Sequence, residues 1–166
     1  MARLLLLIAV AFTPSVVAAD IGVVVAKQPE LGCEIIDRGL YVPASQRVRY
    51  ADPSSVTGER FEISQVRFVR QTTTIEATLG QRFGMRYRLR GLPQRAVVIT
   101  WRVAYPQSVR GRKSWELRFR ASPDNGELVQ HLLYDFVYQS EVVTGRWDFQ
   151  VLVDGQPACS LAFRVE

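Results

Sequence analysis

Histidine, lysine and cysteine are nearly absent from these 166 residues: the chain holds one histidine, His131, two lysines, Lys27 and Lys113, and two cysteines, Cys33 and Cys159. Each shortage excludes chemistry. A Ser-His-Asp or Cys-His arrangement must pass through His131. Asp135 lies four residues on, about 13 Å away at about 3.3 Å per strand residue, beyond hydrogen-bond reach. His131 is therefore expected at the core edge or the surface. One histidine and two distant cysteines cannot build a tetrahedral zinc site without carboxylates. "DPSS" from Asp52 and "SPDNGE" from Ser122 carry too few ligands for a calcium loop. There is no glycine-rich loop to cradle a phosphate, and no C-x-x-C pair for redox work. No cofactor is expected. Paired carboxylates of the glycosidase kind stay formally open. Of the 16 acidic residues, only Asp135, between Tyr134 and Phe136, stands in an apolar context.

Long hydrophobic runs are missing too, with one short exception at the start. Met1-Ala2-Arg3 is followed by "LLLLIAVAF", then Thr13-Pro14-Ser15, then "VVAAD". One positive charge, a short apolar core and small residues at Val17 and Ala19 predict a secretory signal peptide over residues 1–19, with Asp20 the first mature residue. The alternative, an uncleaved anchor, fails on length. Nine residues at about 1.5 Å each cannot cross a hydrocarbon layer of about 30 Å. "ELGC" is not a lipid-attachment site either, because Lys27, Pro29 and Glu30 separate Cys33 from the apolar stretch. The predicted product is a periplasmic or secreted domain of residues 20–166, without a transmembrane anchor. A chain of that length buries roughly 68–70% of its unfolded surface.

In such a compartment two cysteines predict one disulfide, Cys33 to Cys159, tying the start of the fold to its last strand. Two separate buried thiols are the alternative.

Arginine is what the chain has in excess. The net charge is +5, or +4 once Arg3 is removed, and all but two of the 21 basic residues are arginine. A secreted protein does not ordinarily meet nucleic acid, so lipid phosphates, acidic glycans and acidic proteins are the available anions. A G+C-rich coding sequence yields the same bias with no ligand at all.

No window holds a helical period over ten residues. Alternation of period two recurs instead: Phe83–Leu89, Val97–Val103, Trp115–Phe119, Trp147–Val153 and Leu161–Val165 each place apolar side chains on one parity. This is the pattern of half-buried strands. All three tryptophans lie on apolar parities and read as core. Earlier strands are expected near 21–26, 33–41, 60–69 and, weakly, 73–78, with a long loop over 43–58. The segment 128–138 is apolar on both parities, as expected of a central strand covered on both faces. Turns fall at "GLPQ", at Asn125-Gly126, which calls for a hairpin, and at "DGQP". Eight or nine strands at this spacing predict an all-β, immunoglobulin-like antiparallel sandwich; a closed barrel is the alternative.

"RFGMRYRLRG" places Arg86, Arg88 and Arg90 on one strand face, neighbours about 6.6 Å apart. A neighbouring strand contributing Arg102, or Arg118 and Arg120, with Arg110, Arg112 and Lys113 of the loop "SVRGRKS", would extend this into an anion site able to grip carboxylates or phosphates bidentately. The simpler expectation is a solvated face whose arginines meet carboxylates on adjacent strands, with Glu62, Glu76, Glu116 and Asp148 on comparable parities.

The closing stretch adds a resemblance. Glu141, then Gly145, Trp147, Phe149 and Val151, then Asp154-Gly155, then Phe163 and Val165 resemble the C-terminal hairpin of secreted bacterial immunoglobulin-like domains. With "FGMRYRLRGLP" ahead of it, the chain from about residue 33 to 166 resembles a bacterial domain-of-unknown-function family of the DUF3859 type. The resemblance implies a secreted sandwich and assigns no catalytic residue, cofactor or ligand. The expected function is a non-enzymatic module that binds a protein partner in the cell envelope through sheet edges or loops. The alternative is a module for anionic glycan or lipid headgroups on the arginine face, with a hydrolase third.

Overall fold

The computed structural model describes residues 30–44, 47–53, 58–63, 65–109 and 111–166. The expected signal peptide and the expected strand near 21–26 lie outside them. The alternating segments form strands as their parity dictates. They are β1 (Gly32–Pro43), β2 (Arg47–Ala51), β3 (Glu59–Ile63), β4 (Val66–Gln71), β5 (Thr74–Ile75), β6 (Arg82–Arg90), β7 (Val97–Val109), β8 (Arg112–Ala121), β9 (Leu128–Asp135), β10 (Gly145–Val153) and β11 (Gln156–Val165).

One sheet has the order β4-β1-β6-β9 and the other β5-β11-β10-β7-β8, with β2 and β3 as a separate ribbon. The pairings are antiparallel except β5 with β11. This is an immunoglobulin-like sandwich, with more strands than the sequence pattern predicts. The expected loop over 43–58 contains β2, and the expected strand over 60–69 is divided into β3 and β4.

The apolar parities meet between the sheets. Phe83, Met85, Tyr87 and Leu89 are fully buried, as are Ile99, Val103, Trp147, Phe149 and Val151. Phe83 is the centre of an aromatic cluster, its ring 5.2 to 6.1 Å from those of Tyr134, Phe136, Trp147, Phe149 and Phe163. Trp101 packs at the rim and donates its indole N–H to the Tyr87 hydroxyl at 2.7 Å. Cys33 of β1 and Cys159 of β11 form the disulfide, which joins one sheet to the other.

Two expectations about turns and one about a strand are revised. The Asn125-Gly126 turn forms, both residues at positive φ and flanked by a bridge from Asp124 to Glu127. It does not close a hairpin, because β8 and β9 belong to different sheets. In "SVRGRKS", Arg112 and Lys113 are strand and not loop: Val109 pairs with Arg112, which already belongs to β8. The 128–138 segment is no central strand. β9 ends at Asp135 and forms the edge of the four-stranded sheet, with Val129 47% exposed. Leu133 gives a reason for the second apolar parity. It lies over Gly84, where an added Cβ would stand 2.4 Å from the Leu132 carbonyl oxygen and 3.0 Å from Leu133 Cδ2. The outer apolar residue fills the space the missing side chain leaves.

Candidate functional site

With Phe83, Met85, Tyr87 and Leu89 directed inward, Arg82, Arg86, Arg88 and Arg90 stand on the outer face of the four-stranded sheet. Register sets their partners. Asp37 of β1 lies opposite Arg86, and Glu34 lies opposite Arg88. Arg86 Nη2 is 2.7 Å from Asp37 Oδ2, and Arg88 Nη1 is 3.0 Å from Glu34 Oε2. Arg90 bridges Glu34 at 3.1 Å and Glu127 at 3.2 Å, and Arg88 approaches Glu127 at 3.8 Å. At the far end Arg82 meets Asp135 at 3.5 Å, and the Tyr41 hydroxyl donates to Asp135 Oδ1. Four arginines of β6 thus stand against four carboxylates.

The carboxylates expected on this face by parity lie elsewhere. Glu116 pairs with Arg102 at 2.6 Å and Asp148 with Arg146 at 2.8 Å, both on the five-stranded sheet. Glu62 belongs to the separate ribbon and Glu76 follows β5. The expected joint basic surface does not form, because β7 and β8 are not neighbours of β6. Arg102, Arg118 and Arg120 lie on the other sheet. Arg112 and Lys113 lie at the start of β8, where Arg112 Nη2 donates to the Pro53 carbonyl at 2.8 Å. Arg110 lies outside the described residues.

His131 is half-buried and opposite Arg86 in the β6–β9 register. Burial lowers its pKa, the Arg86 charge lowers it further, and Asp37 offsets part of this. The imidazole is neutral at pH 7. Asp135, the nearest candidate partner by sequence, is held by Tyr41 and Arg82 instead. Among the described residues, no group of three or more His, Cys, Asp and Glu side chains could hold a metal ion.

A buried polar cluster centres on Glu141. Glu141 is 5% exposed, in a single 3-10 turn between β9 and β10. Its Oε2 accepts the Val137 and Tyr138 amides, each at 2.9 Å, and its Oε1 accepts the Tyr134 hydroxyl at 3.3 Å. Burial, with Tyr105 and Glu141 beside it, pushes the Tyr134 phenol upward, and burial pushes Tyr105 to about 12. These groups stay protonated and fix a corner. Glu141 was visible only as one letter of the family pattern.

Among the described residues, what remains open is backbone. The four-stranded sheet ends on β4 and β9, and the five-stranded sheet on β8 and the two-residue β5. β4 carries Arg67 and Arg70 and pairs with β1 through an irregularity at Leu40/Tyr41. β9 pairs with β6 over eight consecutive residues without a bulge, and from Leu128 to Tyr134 it has no charged side chain at neutral pH. No helix among the described residues is long and apolar enough to cross a membrane.

Comparison with known proteins places this geometry. The chain is similar to an immunoglobulin-like protein from Pseudomonas aeruginosa, with 22% identity, a TM-score of 0.54, and coverage of 84% of this chain and 99% of that one. Partial similarity extends to an alkylpurine DNA glycosylase from Pseudomonas fluorescens bound to DNA containing an abasic-site analogue. That match has 17% identity, a TM-score of 0.45, and covers 57% of this chain and 28% of that one. A β-glucosidase from Listeria innocua in complex with glucose is similar at 10% identity, with a TM-score of 0.42, over 56% of this chain and 14% of that one. Among curated proteins none matches the sequence. The family model for DUF3859, a domain of unknown function, matches residues 31–165, and the chain belongs to that family.

Proposed function

We propose that the protein is a non-enzymatic interaction module of the cell envelope, periplasmic or secreted, that takes an extended segment of a partner protein onto the β9 edge. The observation that carries this reading is the unguarded state of β9. Sheet edges are normally blunted by charge, proline or bulges, because unpaired N–H and C=O groups recruit other strands. Leu128–Asp135 has no proline, no lysine and no bulge, and Val129 is exposed on its outer face. In strand addition, main-chain hydrogen bonds supply affinity and alternate side chains supply specificity. Partner residues on the outer face would lie beside Val129 and Leu133. The inter-sheet disulfide supports an oxidising compartment.

The arginine face is the less favoured site. An incoming phosphate or carboxylate would have to displace Glu34, Asp37 or Glu127 from distances of 2.7 to 3.2 Å. A photo-crosslinking residue at position 131 separates the two readings in cells. It should capture a protein partner, and the same residue at position 160 on β11 should not. Val129→Lys should abolish the capture, whereas the triple change of Arg86, Arg88 and Arg90 to Gln should leave it intact. Capture that survives Val129→Lys, or is lost in the triple variant, overturns the reading and moves the site to the arginines. Hydrolase activity lost on changing His131 or Asp135 replaces it with an enzymatic one.

A further inference from the structure

Six arginines of the two sheets and their loops, Arg86, Arg88, Arg90, Arg95, Arg102 and Arg146, each stand within 4.0 Å of a carboxylate. Arg118 and Arg120 are exposed on the outer face of β8, opposite Thr100 and Val98 of β7, and have no carboxylate partner among the described residues. They also stand on an open edge. β8 is the last strand of its sheet. The corner at Asp52 and Pro53 packs onto its first half, through Trp115 Nε1 to Asp52 Oδ2 at 3.3 Å and Arg112 to the Pro53 carbonyl. Beyond Trp115, among the described residues, no strand or corner covers the free side.

From this juxtaposition we propose that Glu116–Ala121 is a second docking edge, distinct from β9, and that its occupant is an extended segment of a partner protein in which acidic and apolar residues alternate. Alternate residues of an edge strand direct N–H and C=O away from the sheet, ready for an antiparallel neighbour. On the outer face, directly opposed side chains in such a pair have Cβ atoms about 4.5–5.5 Å apart, so acidic residues of the guest would face Arg118 and Arg120. The β7–β8 pair already uses this arrangement, with Arg102 opposite Glu116 at 2.6 Å. On the inner parity, Leu117 and Phe119 pack on the core yet stay only partly buried. Apolar residues of the guest would cover their exposed flank. A second copy of this chain is the wrong occupant: β8 laid against itself brings the unneutralised arginines of both copies together.

The test uses the disulfide-bonded chain and a labelled synthetic peptide of alternating glutamate and valine, followed by fluorescence anisotropy. Binding is expected, weakening as ionic strength rises from about 50 to 300 mM because exposed charges are screened. The double change Arg118→Glu, Arg120→Glu should weaken it by about tenfold or more, equivalent to about 1.4 kcal/mol, and the charge-reversed variant should gain affinity for a lysine–valine peptide. N-methylation of alternate peptide amides, in the register facing β8, should abolish binding. Val129→Lys should leave it unchanged, so the fate of the β9 reading is separate. Arg118→Gln, Arg120→Gln with an unaltered melting temperature serves as the folding control. Three outcomes overturn the proposal. They are equal affinity in the arginine variants, equal affinity for N-methylated or scrambled glutamate peptides, and binding to anionic lipid vesicles with none to the peptide.

Discussion

Arg86 stands between Asp37 and His131: its guanidinium is 2.7 Å from the Asp37 carboxylate, and the imidazole lies opposite it in the next strand. The three strands β1, β6 and β9 thus share one charge relationship. It makes His131 a reporter of the face. Removing the arginine charge by Arg86→Gln should raise the His131 pKa toward 6.5, because that charge is one of the two causes holding it down. An NMR titration of the imidazole protons reads the shift. An unchanged value means the arginine charge does not act on the histidine.

The same shift sets a pH dependence. The folded pKa of His131 lies below the unfolded 6.5, so the unfolded chain binds the extra proton first. The stability linked to this group is present above pH 6.5 and is lost as pH falls through the folded pKa. Thermal denaturation of wild type should show a decline below about pH 6.5 that is smaller in His131→Gln.

Exposed ion pairs contribute little. Arg88→Gln and Arg90→Gln should each lower stability by about 0.2–1 kcal/mol, and less at high salt. Urea denaturation at two ionic strengths checks both numbers. A larger loss would mean that the ladder of Glu34, Arg88, Glu127 and Arg90 acts as a cooperative unit.

The disulfide has a larger effect. Cys33 and Cys159 are separated by 126 positions, and removing such a bond typically costs about 2–5 kcal/mol, as in Cys33→Ser, Cys159→Ser. A reduced or doubly substituted chain should melt well below the oxidised one while keeping its far-ultraviolet signal at low temperature.

Two substitutions probe the interior. Phe83→Ala opens the aromatic cluster and should cost about 3–5 kcal/mol. Glu141→Ala strands the Val137 and Tyr138 amides and should cost about 1–3 kcal/mol. Hydrogen exchange should speed up first at those two amides.

Much of this was legible in the chain itself. The period-two runs locate β6, β7, β8, β10 and β11, because a strand with one face in the core must alternate. Asp154 at positive φ before Gly155 closes the β10–β11 hairpin as its residues require. The identical logic at Asn125-Gly126 yields the turn but not the hairpin. A turn fixes only local direction, and whether its two strands pair depends on which sheet each one joins. β9 forms an edge despite its two apolar parities for a related reason. Leu133 is apolar because Gly84 leaves a space beneath it, a fact that belongs to the neighbouring strand.

By itself, therefore, the sequence determined the fold class, the inward and outward parity of each strong strand, and the presence of arginines on an outer face. Those follow from local periodicity and the demand that apolar side chains leave water. Only the tertiary structure decided which carboxylates neutralise Arg86, Arg88 and Arg90, that Arg118 and Arg120 have none among the described residues, and which of the described strands end each sheet. Cross-strand partners are set by register between segments far apart in the chain, and a single polypeptide string carries no local signal of that register.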